Sequence, residues 1–290
     1  MLFVDNLPSR FLPADFDPSK PIAVVAGQRD YPILAVASIR AAGLQVRLIA
    51  FEGETDDALY ESFGDSERAK IKVGQVGKML KALQRMNCGY AIFVGQITPG
   101  RLFRDLKPDL KAIAMLAMLK ERNAETIFGS IVAEVQKVGV SMLDARAFMD
   151  DHLASVGLMT RGKLKADQEH IDFGVQKARE IAALDIGQGV VVRKGTVLAV
   201  EAFEGTDDML ARANKYKTEK LILVKTSKPT QNPFFDWPCF GEKTLETMAS
   251  SGISTAALEA DCALLLGKPG LIEKANQLGI ELIGYTTQDK

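Results

Sequence analysis

Ile22-Ala-Val-Val-Ala26 followed by Gly27 sets the architecture of the first half of the chain. A short apolar run closed by glycine is the mark of a strand buried on both faces, the kind that parallel sheets contain. Pro32 to Gly43 then carries apolar residues at helical spacing and ends in glycine, a C-cap signal. Gln45 to Phe51 predicts a second strand, Val76 to Met86 an amphipathic helix, and Tyr90 to Ile97 a third strand that ends at Gly95-Gln96. Two helices between Leu106 and Val138 lead to a fourth strand around Val140 to Ala147. Strands alternating with helices argue for a parallel sheet covered on both faces, a Rossmann-like α/β layout. Residues 1 to 20, rich in Pro and Asp, predict an extended arm ahead of it.

Asp150 to Asp167 has Gly157, Gly162 and mixed charge without periodicity, which reads as a linker. Beyond it, Gln168 to Ala183 is a helix. Val190-Val-Val-Arg193 and Thr196 to Phe203 flank Lys194-Gly195, a two-residue turn signature for a hairpin. Strands at Leu221 to Lys225, Ala256 to Leu258 and Leu264 to Leu266 alternate with helices at Asp207 to Lys215, Lys243 to Ser250 and Leu271 to Leu278. The fold expected is α/β: a Rossmann-like domain over 1–155 and an α+β domain with a mixed sheet over 165–290. No internal repeat or low-complexity tract interrupts them.

Composition narrows the function classes. With 290 residues the chain has room for two cores, and 47% apolar with 25% charged residues describes a soluble globular protein. A net charge of −1 leaves no basic field for a nucleic-acid backbone, so no nucleic-acid partner is expected. Cys88, Cys239 and Cys262 are far apart and odd in number, which suits a reducing cytoplasm rather than a disulfide framework or a zinc pattern. Met1 to Pro8 lacks the basic start of a secretory signal. The most apolar helical stretch, Ala112 to Leu119, is too short to span a bilayer.

The chemistry concentrates between Asp185 and Gly241. Glu201 and Glu204 are three residues apart, so strict alternation lets only one face a site unless the strand bulges near Phe203; either also reads as a solvated acid at a strand end. Thr206 with Asp207 and Asp208 opens a helix. That start is an N-cap pattern, and its free N–H groups could equally receive a phosphate, with Gly205 permitting close approach. Asp236 lies between Phe235 and Trp237 in a loop stiffened by Pro233 and Pro238, which suits a carboxylate paired in the interior or used on a cation. Lys225 and Lys228 follow an apolar strand and read either as solvated ends or as balance for phosphate charge. Gln188 in Ile-Gly-Gln-Gly suits a turn bridge, a sugar hydroxyl or a phosphate oxygen. His152 and His170 have no Ser or Cys partner pattern. In the first half, Gly27-Gln28, Gly95-Gln96 and Gly77-Lys78 fall at the carboxyl edge of the predicted sheet, where such folds bind ligands. Neither a G-x-G-x-x-G fingerprint nor a P-loop is present there.

Leu184-Asp-Ile-Gly-Gln188, Val200-Glu-Ala-Phe-Glu-Gly-Thr-Asp207 and Lys228-Pro-x-Gln-x-x-x-x-Asp236-x-Pro-x-x-Gly241, in that order and spacing, resemble the UDP-2,3-diacylglucosamine pyrophosphatase family of lipid A biosynthesis. The type resembled is the magnesium-dependent one, unrelated to the calcineurin-like phosphoesterases, and the likeness runs from Ile22 to Tyr285. It implies hydrolysis of the UDP-sugar pyrophosphate to UMP and 2,3-diacylglucosamine 1-phosphate, with the ligand between two domains and an essential aspartate at Asp236. The turn Ala26-Gly-Gln-Arg29 and the patterns Asn123-Ala-Glu125, Glu259-Ala-Asp-Cys262 and Asp236-Trp-Pro-Cys239 depart from that family's usual residues.

On this reading Mg2+ is held by Asp236 with Asp207 and Glu204, and those three acids converge. Gln188, Thr206, Lys225, Lys228, Gly27 and Gln96 contact the substrate, a lipid nucleotide sugar met from the cytoplasm in transient contact with the inner-membrane surface. A homodimer is left open. The competing readings are a non-catalytic binder of a nucleotide sugar or lipid phosphate, and a nicotinamide oxidoreductase resting only on the βα layout.

Overall fold

Ile22–Ala26 forms strand β1, and all of it is buried, as a strand with neighbours on both sides and helices on both faces must be. The computed structural model describes residues 7–97, 108–121, 124–216, 218 and 220–287. Residues 1–6 of the expected arm, Leu106 at the start of the expected helical region, and Asn123 lie outside the described residues. The chain divides into unit 1, Met1–Met149 with Pro233–Phe235, and unit 2, Asp150–Asn232 with Asp236–Lys290.

In unit 1, β1 pairs in parallel with β2 (Val46–Phe51) on one side and β4 (Tyr90–Val94) on the other. Edge strands β3 (Arg68–Ile71) and β5 (Ser141–Met142) complete a parallel sheet of order β3-β2-β1-β4-β5. The helices are α1 (Asp30–Ala41), α2 (Asp57–Glu61), α3 (Val76–Arg85), α4 (Leu110–Ala117) and α5 (Ala124–Lys137). The Rossmann-like expectation holds. Three elements differ from it: the fourth expected strand contracts to Ser141–Met142, the short α2 was not anticipated, and β3 carries too little apolar pattern to be read from sequence. As an edge strand β3 buries only Ile71, and Arg68 and Lys70 discourage pairing with another chain.

Strand order reverses direction between β1 and β4, the switch point at which such sheets open a crevice. There the two backbones touch. Gly27 N donates to Val94 O at 2.8 Å, and Gln28 N to Gln96 O at 2.8 Å. A Cβ on Gly27 would lie 2.5 Å from Gln96 O, so glycine is required by the approach of two main chains. The core beneath is built from Ala23, Val25, Ile49, Met79, Leu83 and their neighbours, and Phe234 packs against it. Pro233 O accepts from Ala145 N at 2.7 Å, and Phe235 stacks on Phe128 with ring centroids 4.9 Å apart. These contacts put Pro233–Phe235 in unit 1 although the residues on either side belong to unit 2.

Unit 2 holds β6 (Gly157–Leu158), β7 (Gly189–Arg193), β8 (Thr196–Val200), β9 (Leu221–Lys225), β11 (Ile253–Glu259) and β13 (Glu281–Tyr285), with β10 (Cys239–Phe240) and β12 (Leu264–Leu265) in a separate two-stranded sheet. The six-stranded sheet has the order β6-β13-β11-β9-β7-β8, parallel at β9, β11 and β13 and antiparallel elsewhere, a mixed sheet as expected. Helices α6 (Gln168–Ala183), α7 (Thr206–Ala213), α8 (Glu242–Ser250) and α9 (Lys268–Leu278) accompany it. Alternate side chains along the strands feed two cores. Val191, Leu223, Ala256 and Leu282 face one, and Val190, Ile222, Val224 and Ala257 the other. Lys194 and Gly195, at φ 46° and 73°, supply the left-handed pair that a tight hairpin turn needs.

Three details correct the sequence reading. The residues taken as a linker lie in unit 2, where Gly157–Leu158 pairs with β13, so the units divide after Met149. Strand β8 stops at Val200, not Phe203. Strand β13, Glu-Leu-Ile-Gly-Tyr, was not anticipated.

Replacing Gly27 by Ala should cost about 1–3 kcal/mol through overpacking against Gln96 O. Gly129→Ala, on α5 with nothing within 4 Å of the new methyl, should be neutral or stabilise by up to ~1 kcal/mol. Urea-unfolding midpoints of the two variants check both signs.

Candidate functional site

Strand directions decide which residues of unit 2 can meet. β9, β11 and β13 run in parallel, β7 runs against β9, and β8 against β7. The C-terminal ends at Val200, Lys225, Glu259 and Tyr285 therefore share one edge of the sheet with the start of β7 at Gly189. This is the edge at which open α/β sheets present ligand sites.

One cluster forms around Asp236. The Gln188 amide, 8% exposed, donates to the Asp236 carbonyl and to its Oδ2, each at 3.0 Å. Gln231 Nε2 donates to the same carbonyl at 3.1 Å. These bonds hold Asp236 at φ 63°, a left-handed conformation that a non-glycine residue adopts only when its surroundings impose it. Its side chain is 55% exposed, so the carboxylate is presented outward rather than buried among the flanking aromatics. Lys228 Nζ lies 3.1 Å from Asp236 Oδ2 and 2.7 Å from Asp185 Oδ1. Burial of the ammonium pulls its pKa down, but the hydrogen bond to Asp185 and the charge of Asp236 outweigh that and hold it above the ordinary lysine value.

A second cluster forms at the start of α7. Lys225, 5% exposed, donates from Nζ to Thr206 Oγ1 at 2.6 Å, and Thr206 donates its own proton to Glu201 Oε1 at 2.5 Å. Glu201 Oε2 stands 3.6 Å from Lys225 Nζ. Helix α7 follows Gly205 at φ 85° with no side-chain cap, so its first-turn N–H groups point past the helix start. Backbone bonds tie the clusters together: Thr226 N donates to Gln188 O at 3.0 Å and Glu201 N to Gly189 O at 2.8 Å. Buried Glu259 sets the loop between the lysines, its Oε2 accepting from Thr226 Oγ1 at 2.9 Å, Ser227 N at 2.6 Å and Ser227 Oγ at 2.7 Å. The Tyr285 hydroxyl donates to Lys225 O at 2.9 Å, and burial pushes its pKa up.

Of the residues singled out in the sequence, Gln188, Asp236 and Lys228 come together, as do Thr206 and Lys225. Gly27 packs on the Gln96 backbone in unit 1, next to the bridge between Gln28 and Gln96. The expected trio of Glu204, Asp207 and Asp236 does not form. Glu204 sits in a turn beyond β8 and pairs with Arg212; Asp207 accepts from Thr244 Oγ1 at 3.0 Å and lies 3.3 Å from Lys243 Nζ. Among the described residues no group of three His, Cys, Asp or Glu is placed to hold a metal ion. Sequence reasoning missed Asp185, Glu201 and Glu259. Asp185 lay inside a quoted motif. Glu201 was weighed but could not be separated from Glu204 without knowing where β8 ends. Glu259 lay inside the quoted Glu259-Ala-Asp-Cys262 pattern, but its partners gave no signal, because Thr226 and Ser227 are more than thirty residues away.

The chain matches the family model described as LpxI N-terminal domain over residues 21–152 and the model described as LpxI C-terminal domain over 155–283. It is 30% identical over 283 residues to a protein of Caulobacter vibrioides named UDP-2,3-diacylglucosamine pyrophosphatase LpxI, a match that spans 93% of this chain and 99% of the relative. Among solved structures, a glycinamide-RNase-transformylase T from Mycobacterium tuberculosis aligns at 9% identity over 63% of this chain and 44% of its own, with a TM-score of 0.23, too low to carry an argument.

Because the folded state holds the Lys228 proton more tightly than the unfolded chain does, this pairing stabilises fully below about pH 10 and its contribution fades as pH rises through the raised folded value. The urea midpoint of the wild type should therefore fall more between about pH 8 and 11 than that of Lys228→Met. Parallel curves would show that Asp185 and Asp236 do not bind that proton.

Proposed function

The chain belongs to the LpxI family, and we propose from that premise that it hydrolyses the pyrophosphate of UDP-2,3-diacylglucosamine to UMP and 2,3-diacylglucosamine 1-phosphate. The observation that carries the reading is the pair of lysines at the carboxyl edge of the unit 2 sheet, one on each side of the Gln188–Asp236 contact in the network. A pyrophosphate diester brings two negative charges, and its cleavage spreads more charge onto the non-bridging oxygens. Fixed cations and N–H groups that need not reorganise are what such a reaction asks of a protein.

In the hydrolysis a water oxygen bonds to one phosphorus, the bridging P–O bond breaks, and the bridging oxygen leaves with the other phosphate. Lys228, held by Asp185 and Asp236, and Lys225, held by Thr206, offset the oxygens' charge, together with backbone N–H groups at Thr206 and Asp207. Gln188 fixes Asp236, whose exposed carboxylate is the group set against the reacting phosphate.

Magnesium is part of the proposal, in a form different from the one the sequence suggested. Glu204 and Asp207 are engaged elsewhere. Asp236 and Asp185, both more than half exposed, already converge on one cationic group. That donor set suits an ion that keeps several waters and takes its other contacts from substrate phosphates. When bound there, the ion would neutralise pyrophosphate charge and acidify a water. The diacyl substrate makes contact with a bilayer surface part of the same reading; no helix among the described residues is long and apolar enough to cross a membrane.

Asp236→Ala should abolish UMP release from UDP-2,3-diacylglucosamine while its circular dichroism stays that of the wild type; full activity in that variant refutes the assignment. EDTA should stop release and Mg2+ restore it. Mg2+ with UMP should raise the wild-type Tm and leave the Tm of Asp236→Ala unchanged.

A further inference from the structure

The sequence offered Glu204 as the acid of its motif, but its neighbour three residues earlier holds the buried position. Glu201 is 9% exposed and follows the last residue of β8. A carboxylate in such a place persists only when charge and hydrogen bonds compensate its lost water. Glu201 has two compensations of different kinds. Its Oε1 accepts the Thr206 proton at 2.5 Å. Its Oε2 makes no hydrogen bond at all and faces Lys225 Nζ at 3.6 Å, beyond hydrogen-bond reach but within strong Coulomb range.

That asymmetry has a chemical consequence. Lys225 carries three N–H donors. Of its described contacts, only the one to Thr206 takes a donor, because Glu201 supplies counter-charge from a distance that claims none. Thr206 has a single proton, and Glu201 takes it, so the hydroxyl turns its lone pairs toward Lys225. The order Lys225 to Thr206 to Glu201 thus has one direction.

Glu201 also fixes the other cluster. A Cβ on Gly187 would fall 2.1 Å from Glu201 O, and one on Gly189 2.5 Å from Glu201 Oε2. The Gly-Gln-Gly segment that aims Gln188 at Asp236 is therefore packed directly on this residue, and Glu201 N donates to Gly189 O.

We infer that Glu201 is a positioning residue for phosphoryl chemistry at this edge, acting through Lys225 and through the Gln188–Asp236 contact. The inference rests on the hydrolase reading above and adds a residue and a division of labour to it.

The test is a double-mutant cycle with Glu201→Gln and Lys225→Met, followed by UMP release and by Tm. The amide is nearly the size of the carboxylate but carries no charge and must present an N–H to either Lys225 or Thr206. Glu201→Gln should fold and lose on the order of 10²-fold in kcat, the scale of misplaced reacting groups, with KM changed by less than about threefold. Lys225→Met should lower Tm by stranding a buried carboxylate, and adding Glu201→Gln should restore part of that loss. The double variant should be no slower than the slower single variant, because both changes remove one unit. Independent, multiplying losses overturn the inference, as does wild-type kcat in Glu201→Gln. Should Glu201→Gln not fold, Glu201→Asp, which keeps the charge but shortens its reach, must lose kcat; wild-type kcat there overturns the inference equally. If the wild type itself releases no UMP, the hydrolase reading fails first, and the Tm cycle alone then decides whether the two residues act as a pair.

Discussion

Unit 2 is organised around the cost of burying positive charge. Lys225 ends a strand whose every residue is buried, and an ammonium in that place is tolerable only with an anion and hydrogen bonds nearby. The carboxylates of Glu201, Asp185 and Asp236 and the hydroxyl of Thr206 answer that need for the two lysines at the sheet edge. These partners come from three connections: Asp185 from the one before β7, Glu201 and Thr206 from the one between β8 and α7, and Asp236 from the one after β9. The network therefore pins the loop before β7, the turn after β8, the start of α7 and the loop around Asp236 to one place.

The glycines of the 185–189 segment are the steric side of the same arrangement. Charge brings Glu201 to Lys225, and the chain can then pass only if the residues lying on Glu201 have no side chain. The same logic operates in unit 1 without charge, where Gly27 lets the exits of β1 and β4 close to backbone contact at the switch point. In both units the sheet brings strand ends together, parallel at β1 and β4 and antiparallel at β7 and β8, and glycine sets how near they come.

Asp236 shows how a loop is aimed. Pro233, Phe234 and Phe235 pack in unit 1, while Gln188 and Gln231 grip the next residue's carbonyl from unit 2. Held by those two amides, the backbone takes up a left-handed conformation that turns the carboxylate outward to Lys228. The aromatics on either side had suggested a choice between interior pairing and use on a cation; the observed carboxylate is more than half exposed and already meets a cation, the lysine.

Local pattern alone determined the class of the fold. Apolar runs gave β1, β2 and β4, with glycine closing the first and last of these, helical spacing gave α1 and α3, and Lys194-Gly195 gave the hairpin, because burial and turn conformation act on neighbouring residues. Edge strand β3 escaped because an edge buries few side chains and leaves little periodicity. The motifs likewise singled out Gln188, Thr206, Lys225, Lys228 and Asp236, which the fold gathers into two clusters. Which acid serves which lysine was decided only by the tertiary structure. Glu201 and Glu204 differ by where a strand ends, Asp207 is claimed by Thr244 and Lys243 of another helix, and Asp185 reaches Lys228 across forty-three positions of chain. Charges act through space, so their pairing follows from where the sheet puts strand ends and not from spacing along the sequence.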